Sequence, residues 1–345
     1  MRLVSDWLWG ATPTARTLQL GLVPGSLVFS SVASLRTVLY RAGIRRTRAL
    51  PLPAVSIGNL TVGGTGKTPI ASWVARFFDM LGARSAVLLR GYGGDEAEIH
   101  RREVPNAVVI EQVDRLRGAR AAKEAGADVL VLDDGFQHLS VGRDLDVVLV
   151  SAESLEGSHW TLPAGPWREP GVALARAQYG IVTRRRCTLE DAWTAARWMR
   201  SRAGWDLPIA LAELTLTGLE GLWSRREVAL SQLDRADVIA LAGIGDPASF
   251  ATQLENLGAR VRLLARRDHS PYSDRDIERV ARAGRAVNLV VMTAKDAVKV
   301  RHRWPKHERE PLVAQLGVRW EANQDHWQHT LASVWTGGGD SRFDR

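Results

Sequence analysis

The sequence contains almost no cysteine, since Cys187 is the only one in 345 residues. A single thiol excludes an internal disulfide and fits a reducing compartment, and Cys187 is interpreted as a structural residue. Low-complexity segments and internal repeats are also missing, and apolar residues make up 45% of the chain, as is typical of folded globular proteins. At this length we expect two ordinary domains, each with its own core.

The N-terminus lacks a basic cluster followed by a short apolar core and a small-residue cleavage site, so no secretory signal is predicted. The protein is expected to stay in the cytosol. Residues 18–40 are rich in Leu and Val, but they include Pro24 and an arginine, which makes the stretch too polar to span a bilayer comfortably. Two interpretations remain open: a helix lying in a lipid headgroup layer, and a helix packed on its own domain.

Positive charge exceeds negative charge, with 46 Lys and Arg against 38 Asp and Glu, a formal net charge of +8. This excess favours an anionic partner such as nucleotide, phospholipid or nucleic acid, although it also serves solubility alone. The sequence has no interleaved arginines and aromatic residues of the nucleic-acid-binding kind. Nucleic acid is therefore the weakest of these partner hypotheses.

Residues 54–150 alternate short β-rich runs with helical stretches, which is typical of a parallel sheet covered by helices on both faces. The predicted strands are AVSIGN, SAVLLR, AVVIE, DVLVLDD and DVVLVS, and a helix is predicted over 69–81. A second series begins near residue 209, with strands VIALAG, RVRLLA and LVVMTA and helices over 248–257 and 273–283. The predicted fold class is α/β, with a parallel-sheet domain and a second, smaller α/β domain.

The stretch TVGGTGKTP follows the first predicted strand and precedes a helix. Its glycines let backbone N–H groups turn toward bound phosphates, Lys67 can reach the β and γ oxygens of a nucleotide, and the Thr68 hydroxyl can bind Mg²⁺. Thr61 stands where the usual pattern begins with glycine, and a coincidental glycine turn is the alternative. The predicted nucleotide-binding residues are Thr61, Val62, Gly63, Gly64, Thr65, Gly66, Lys67 and Thr68.

The stretch VLVLDDGFQH places Asp133 and Asp134 at the end of an apolar strand. Carboxylates at such a position near a phosphate-binding loop are suited to holding Mg²⁺, at the edge of the sheet where α/β proteins bind ligands. The alternative is that the pair caps a turn. His138 follows closely and taken alone is more often a structural histidine.

The predicted strand SAVLLR leads into GYGGDEAE, so Asp95 and Glu96 are expected on a glycine-rich loop at the same edge. In phosphoryl transfer to an alcohol, a positioned carboxylate accepts the hydroxyl proton, which is the role we predict for Asp95. Three later segments, AGIGDP, RRDHSPYS and TAKDAVK, also follow predicted strands. Each of these could equally supply a turn or a helix cap.

Several motifs occur together and in the order of one family: SIGNLTVGGTGKTP, LLRGYGG, GDE, DDGFQH with RDLDVVLV, LPAGPWREP, AGIGDP, RRDHSPYS and TAKDAVK. With them the chain resembles the tetraacyldisaccharide 4′-kinases, the lipid A kinases of Gram-negative bacteria, over most of its length. The resemblance implies ATP and Mg²⁺ as co-reactants and a lipid A disaccharide 1-phosphate as acceptor at its 4′ hydroxyl. It also implies a peripheral position at the cytoplasmic face of the inner membrane. We expect no nucleic acid partner, and no obligate protein partner is evident from the sequence.

The resemblance also assigns roles to individual residues. It implies that Asp95 is the catalytic base and that His269 works with it, which would require two domains to close on each other. Lys67 is expected to offset charge on the transferred phosphoryl group, and Thr68, Asp133 and Asp134 to hold Mg²⁺. Further active-site positions that it implies are Glu96, His138, Arg168 and Glu169.

The expected domains are an amphipathic, membrane-docking helical segment over 1–45, an ATP-binding kinase domain of the P-loop NTPase type over 46–183 and a connector helix over 184–208. The smaller domain is expected over 209–335 and a frayed tail over 336–345. Two departures from the family pattern stand out. The stretch between RGYGG and GDE is shortened, which leaves the lid without an obvious counterpart, and Ala97 replaces a proline.

Rival functions are a nucleotide-driven regulatory ATPase or GTPase, or assembly factor, and a membrane-associated binding module without catalysis. TAKDAVK resembles the guanine-reading N/T-K-x-D motif, but its lysine and aspartate are adjacent, so the spacing fails.

Overall fold

The structure is a computed structural model that describes Trp9 and residues 12–91, 94–267 and 270–336. The chain forms two compact units. The first unit comprises Met1–Tyr92, His100–Glu213 and Trp320–Arg345, and the second comprises Gly93–Ile99 and Leu214–Arg319.

Both units are built from strands and helices that alternate along the chain. The strands are β1 (Ala54–Asn59), β2 (Ser85–Leu89), β3 (Val108–Glu111), β4 (Val129–Asp133), β5 (Leu145–Ser151), β6 (Tyr179–Arg184), β7 (Ile209–Gly221), β8 (Glu227–Val228), β9 (Asp237–Ala242), β10 (Arg260–Ala265), β11 (Leu289–Thr293) and β12 (Leu312–Ala322). The α-helices are α1 (Pro13–Arg41), α2 (Lys67–Met80), α3 (Asp95–Glu103), α4 (Arg115–Glu124), α5 (Leu189–Ala203), α6 (Pro247–Asn256), α7 (Asp274–Ala283), α8 (Ala294–Val300) and α9 (Gln324–Thr336).

In the first unit the strand order is β7-β6-β5-β1-β4-β2-β3, and every neighbouring pair is parallel. Every residue of β1, β4 and β5 is buried, because helices and loops cover both faces of the sheet. β1 lies between β5 and β4, with Val55 opposite Leu145 on one side and Val131 on the other. The parallel sheet predicted for this part of the chain is confirmed.

In the second unit the order is β10-β9-β11-β12-β7, and the short β8 pairs antiparallel with β7. The pairs of β10 with β9, β9 with β11 and β11 with β12 are parallel. Separate apolar clusters, one around Phe250 and Leu254 and the other around Ile277 and Met292, pack on this sheet. The second, smaller α/β body expected from the sequence is present.

The units are bounded differently from the predicted domains. The segment over 184–208, expected to be a connector, contains α5, whose alanines and Met199 are buried in the core of the first unit. The end of the predicted smaller domain returns to the first unit, where Trp320 packs against Trp73 at a centroid distance of 4.9 Å. These contacts join residues far apart in sequence, and no local pattern reveals them.

Asp95 and Glu96 were expected on a loop, and this expectation is wrong, because both lie in the first turn of α3. That turn is acidic and the last turn carries His100 and two arginines, so both ends of the helix complement its dipole. The backbone N–H of Glu98 bonds to the carbonyl of Gly94 at 3.3 Å. The glycines before Asp95 favoured a loop in the prediction, whereas the acidic residues followed by basic ones indicate the start of a helix.

Helix α1 is 29 residues long and continues through Pro24. It turns a polar side to the protein: the buried Ser26 hydroxyl donates to the carbonyl of Thr161 at 2.6 Å and accepts from the N–H of Ala164 at 3.0 Å. Its exposed side chains include Arg16 and Arg36 and a larger apolar set, Leu18, Leu20, Leu27, Val28, Val32, Leu35 and Val38. By length and composition the helix could cross a membrane, so the expectation that it is too polar to do so is not met.

Candidate active site

The glycine loop joins the end of β1 to the start of α2. Gly63 has a φ of 118° and Gly66 a φ of 88°, backbone conformations that residues other than glycine rarely adopt. Gly66 caps α2, and within the described residues no side chain bonds to the N–H groups of that cap. The helix therefore offers free backbone donors and its positive end to an anion, as expected of a phosphate-binding loop.

Asn59, the last residue of β1, organises this loop and was not predicted from the sequence. Its amide nitrogen donates to the carbonyl of Thr61 and to the hydroxyl of Thr65, both at 2.8 Å. Its amide oxygen accepts from the Lys67 ammonium at 3.2 Å. A polar residue that ends the fully buried β1 was the available signal. Asn59 thus holds both the loop and the lysine that is expected to reach phosphate.

Lys67 and Arg168 share one carboxylate, that of Asp134. The Arg168 Nη1 lies 3.0 and 2.9 Å from the two carboxylate oxygens, and the Lys67 Nζ lies 3.6 Å from Oδ1. Burial raises the pKa of Asp134, but Lys67 and Arg168 outweigh it and leave this pKa below its ordinary value. Asp134 is therefore ionised at neutral pH, and the two cations are held beside the glycine loop.

The loop before Arg168 borders the glycine loop as well. The N–H of Val62 donates to the carbonyl of Pro166 at 2.7 Å, and the N–H of Arg168 donates to the carbonyl of Leu60 at 2.7 Å. The same loop carries Thr161, which bonds to α1. The LPAGPWREP segment therefore contacts both α1 and the phosphate loop. Glu169 pairs with Arg176 at 2.7 Å.

Asp133 is buried at the end of β4. Its Oδ2 lies 3.0 Å from the Nε2 of His100, and its carbonyl accepts from Arg115 at 3.2 Å. Its Oδ1 is buried and has no hydrogen-bond partner among the residues that the structure describes. An orphaned carboxylate oxygen beside a phosphate loop fits a cation, because Mg²⁺ uses one or two carboxylates together with waters and substrate phosphates.

The described residues contain no group of three or more His, Cys, Asp or Glu side chains able to hold a metal alone. A Mg²⁺ site in a nucleotide-binding protein uses one or two carboxylates together with waters and phosphates. Thr68, in the first turn of α2, is half-buried. Thr68, Asp133 and Asp134 are therefore the residues that could hold Mg²⁺ here.

His138 is half-buried after β4. Burial, and next the charge of Arg115, lower its pKa to about 4. Its ring is therefore neutral at neutral pH, and it can donate or accept a hydrogen bond without carrying charge.

Asp95 is buried and belongs to the second unit. Its Oδ2 lies 3.8 Å from the Nζ of Lys299, and Glu96 Oε1 lies 2.8 Å from the Nζ of Lys295. Both lysines belong to the TAKDAVK segment, so α8 contacts both acidic residues of the GDE motif. His269 lies outside the described residues, and its partnership with Asp95 stays a prediction.

A buried carboxylate on α8 explains why three second-unit motifs occur together. Asp296 accepts hydrogen bonds from the Gly243 N–H at 2.9 Å, the Tyr272 hydroxyl at 2.8 Å and the Thr293 hydroxyl at 2.6 Å. It thereby ties together the segments that follow β9, β10 and β11. Burial raises the pKa of Asp296 and outweighs these hydrogen bonds. AGIGDP, RRDHSPYS and TAKDAVK thus share one structural centre.

Cys187, interpreted as structural, is buried. Burial raises the pKa of its thiol to about 12, so the reactive thiolate is not populated at neutral pH.

Comparison with known proteins identifies the family. The sequence profile of the tetraacyldisaccharide-1-P 4′-kinases, LpxK, matches residues 18–336. The chain is 36% identical to the tetraacyldisaccharide 4′-kinase of Pelobacter propionicus, over 87% of this chain and 88% of that protein. It is 33% identical to the same enzyme of Anaeromyxobacter sp. strain Fw109-5, over 96% of each chain.

A solved structure shares the fold. The crystal structure of the "apo" form of LpxK from Aquifex aeolicus in complex with ATP matches with a TM-score of 0.70 and 25% identity, covering 92% of this chain and 99% of that chain. The predicted fold class, enzyme class and lipid A 4′-kinase function are confirmed, and the regulatory-switch alternative is not favoured. The chain therefore belongs to the tetraacyldisaccharide-1-P 4′-kinase family.

Proposed function

We propose that this chain transfers the γ-phosphoryl group of ATP to the 4′ hydroxyl of a tetraacyldisaccharide 1-phosphate. The observation that carries the proposal is the glycine loop with Lys67 held between Asn59 and Asp134, in a chain of this kinase family. In the reaction the acceptor oxygen bonds to the γ-phosphorus, the β–γ bridging P–O bond breaks and ADP leaves. The hydroxyl proton passes to a base on the protein.

ATP is the proposed phosphoryl donor, bound by residues 61–68. The ATP in the related Aquifex aeolicus structure supports this choice. The backbone donors after Gly66 would receive phosphate oxygens, and Lys67 and Arg168 would offset negative charge. Asp134 already gathers both cations beside the loop, and they would turn from its carboxylate to phosphate oxygens when the nucleotide binds.

Mg²⁺ is the proposed cofactor, and Thr68, Asp133 and Asp134 would hold it. The ion would neutralise charge on the β- and γ-phosphates. Oδ1 of Asp133 is buried and has no hydrogen-bond partner among the described residues, which supports its part in this site.

Asp95 is the proposed base. Its carboxylate would accept the proton of the 4′ hydroxyl, and His269 remains its proposed partner. The Nζ of Lys299 lies 3.8 Å from Oδ2 of this carboxylate, so a cation faces the group that would take the proton.

We also propose that α1 docks the enzyme on the cytoplasmic face of the inner membrane. The apolar side of α1 is exposed over its length, with Leu20, Val28 and Val32 each more than 60% accessible. Its buried Ser26 fastens one side of the helix to the protein, and the exposed apolar side would lie in the lipid headgroup layer. A surface of this kind suits a lipid acceptor that stays in the bilayer.

Comparing ATP consumption by the purified protein with and without the lipid acceptor tests this function. Acceptor-dependent ADP release is the expected result. Equal ATP consumption in both arms would favour a regulatory ATPase, and none in either arm would favour a binding module.

A further inference from the structure

A chain of three buried polar side chains crosses the first unit beside the phosphate loop. The hydroxyl of Ser72 on α2 lies 2.9 Å from Nδ1 of His100, and Nε2 of His100 lies 3.0 Å from Oδ2 of Asp133. Ser72, His100 and Asp133 are 1%, 0% and 3% exposed. His100 is not among the residues given a role by the family motifs.

The ring of His100 is fully used in this arrangement. In its neutral form, the Nε2–H donates to the carboxylate of Asp133, and Nδ1 accepts from the hydroxyl of Ser72. Each polar atom of the ring therefore has a partner, which offsets the cost of burying it. Loss of either partner would leave a buried polar atom unsatisfied.

The hydrogen bonds from Ser72 to His100 to Asp133 determine which oxygen of Asp133 remains available. His100 bonds to Oδ2, whereas Oδ1 is buried and has no hydrogen-bond partner among the described residues. A carboxylate bonded through one oxygen cannot rotate freely. It therefore presents the other oxygen in a fixed direction, as Mg²⁺ requires because of its strict octahedral geometry.

Ser72, at the other end of this series of hydrogen bonds, lies on the helix that carries Thr68. Ser72 follows Thr68 by four residues, so the two side chains share a face of α2. The Ser72–His100 link thus connects the helix that offers the Thr68 hydroxyl with the strand that ends in Asp133.

We propose that His100, supported by Ser72, is a positioning residue that holds Asp133 relative to α2, so that Asp133 and Thr68 serve the same cation. This inference rests on the proposed Mg²⁺ site. A role confined to stability predicts that any well-folded variant binds the cation normally. Positioning predicts instead that cation affinity depends on a donor at the place of Nε2.

The test is a Mn²⁺ titration of the full-length protein with ATP, followed by electron paramagnetic resonance. We expect His100→Leu to weaken Mn²⁺ binding in the ATP complex by about 10–100-fold, the usual effect of losing a partner of a metal ligand. His100→Gln places an amide donor near the position of Nε2 and should restore most of the loss. Ser72→Ala should give a smaller loss, since the donor to Asp133 remains.

Ser85→Ala is the matched control for Ser72→Ala. Ser85 is also buried, and its hydroxyl bonds at 2.9 Å to Asp79, toward the opposite end of α2. This variant should bind Mn²⁺ like the wild type. ATP binding without metal should be unchanged in all variants that fold.

The outcomes separate this inference from the function on which it rests. Asp133→Asn could weaken Mn²⁺ binding while His100→Leu, His100→Gln and Ser72→Ala all fold and bind Mn²⁺ like the wild type. That result would overturn the inference and leave the metal site standing. If Asp133→Asn itself binds Mn²⁺ normally, both the site and the inference are wrong. Should His100→Leu not fold, Ser72→Ala decides, because wild-type Mn²⁺ affinity in that variant contradicts the inference.

Discussion

The acidic residues of the two units are held in different ways. In the first unit, Asp134 is 40% exposed at its side chain and lies within 2.9 Å of Arg168 and 3.6 Å of Lys67. In the second unit, Asp95 is 2% exposed and its Oδ2 lies 3.8 Å from the Nζ of Lys299. The first arrangement gathers charges that can exchange one anion for another, as phosphate binding needs. The second keeps a carboxylate out of water, as suits a base that acts on a hydroxyl group.

The largest effect should follow from changing the proposed base. Asp95→Asn removes the proton acceptor but keeps the shape of the side chain, and should lower kcat by about 10²–10⁴-fold, the usual share of general-base catalysis. ATP affinity should change little. Single-turnover transfer to the lipid acceptor measures this effect. Glu98→Gln, in the same turn of α3, is the matched control, and an undiminished rate in Asp95→Asn would contradict the assignment.

The next largest effect should come from the phosphate side. Lys67→Met removes a charge that is expected to stabilise the transferring phosphoryl group, and should lower kcat by about 10²–10³-fold. Unlike the change at Asp95, it should also weaken ATP binding, which fluorescence titration with an ATP analogue would measure. If Lys67→Met and Asp95→Asn weakened ATP binding equally, the contrast between the two regions would fail.

A smaller effect is expected at Lys299, which positions Asp95. Lys299→Met should reduce kcat by about tenfold, because a displaced catalytic group loses reactivity steeply with distance. Lys306→Met is a matched control in the same unit, since its ammonium lies over the ring of Trp223 at 4.1 Å. A rate for Lys299→Met equal to that of the control would show that the long ion pair has no catalytic effect.

The smallest effect concerns the pH dependence of stability, through His138 in the first unit. The pKa of His138 is about 4 in the folded protein, below its ordinary value of 6.5, because of burial and nearby arginines. Between these values the unfolded chain binds a proton that the folded chain does not, so this contribution to stability falls as pH drops from 6.5 to 4. His138→Gln should lose less stability than the wild type between pH 7 and pH 5. Urea unfolding at both pH values measures it, and equal losses would contradict the shift.

Much of this fold was predictable because its signals are local. The strands of the first unit are short apolar runs that are buried on both faces, and AVSIGN coincides with β1. The glycine loop and the Asp133–Asp134 pair were recognisable from residue type and spacing. The start of α3 was missed, although acidic residues at 95, 96 and 98 followed by basic ones at 100–102 indicate a helix.

Other features have no local signal. His100 acts through Ser72 and Asp133, which are distant in sequence, and a single polar residue does not reveal its partner. The grouping of residues 93–99 with the second unit, and of residues 320–336 with the first, depends on tertiary contacts alone. The polar inner side of α1 was likewise hidden, because the loop around Thr161 that it contacts lies more than a hundred residues away.

The most direct test of the account is mass analysis of a tetraacyldisaccharide 1-phosphate after incubation with the purified protein, ATP and Mg²⁺. The account predicts that the lipid gains one phosphate, located at the 4′ position by fragmentation, and that ADP forms in equal amount. ADP formation with an unmodified lipid, or phosphate at another hydroxyl, would contradict it.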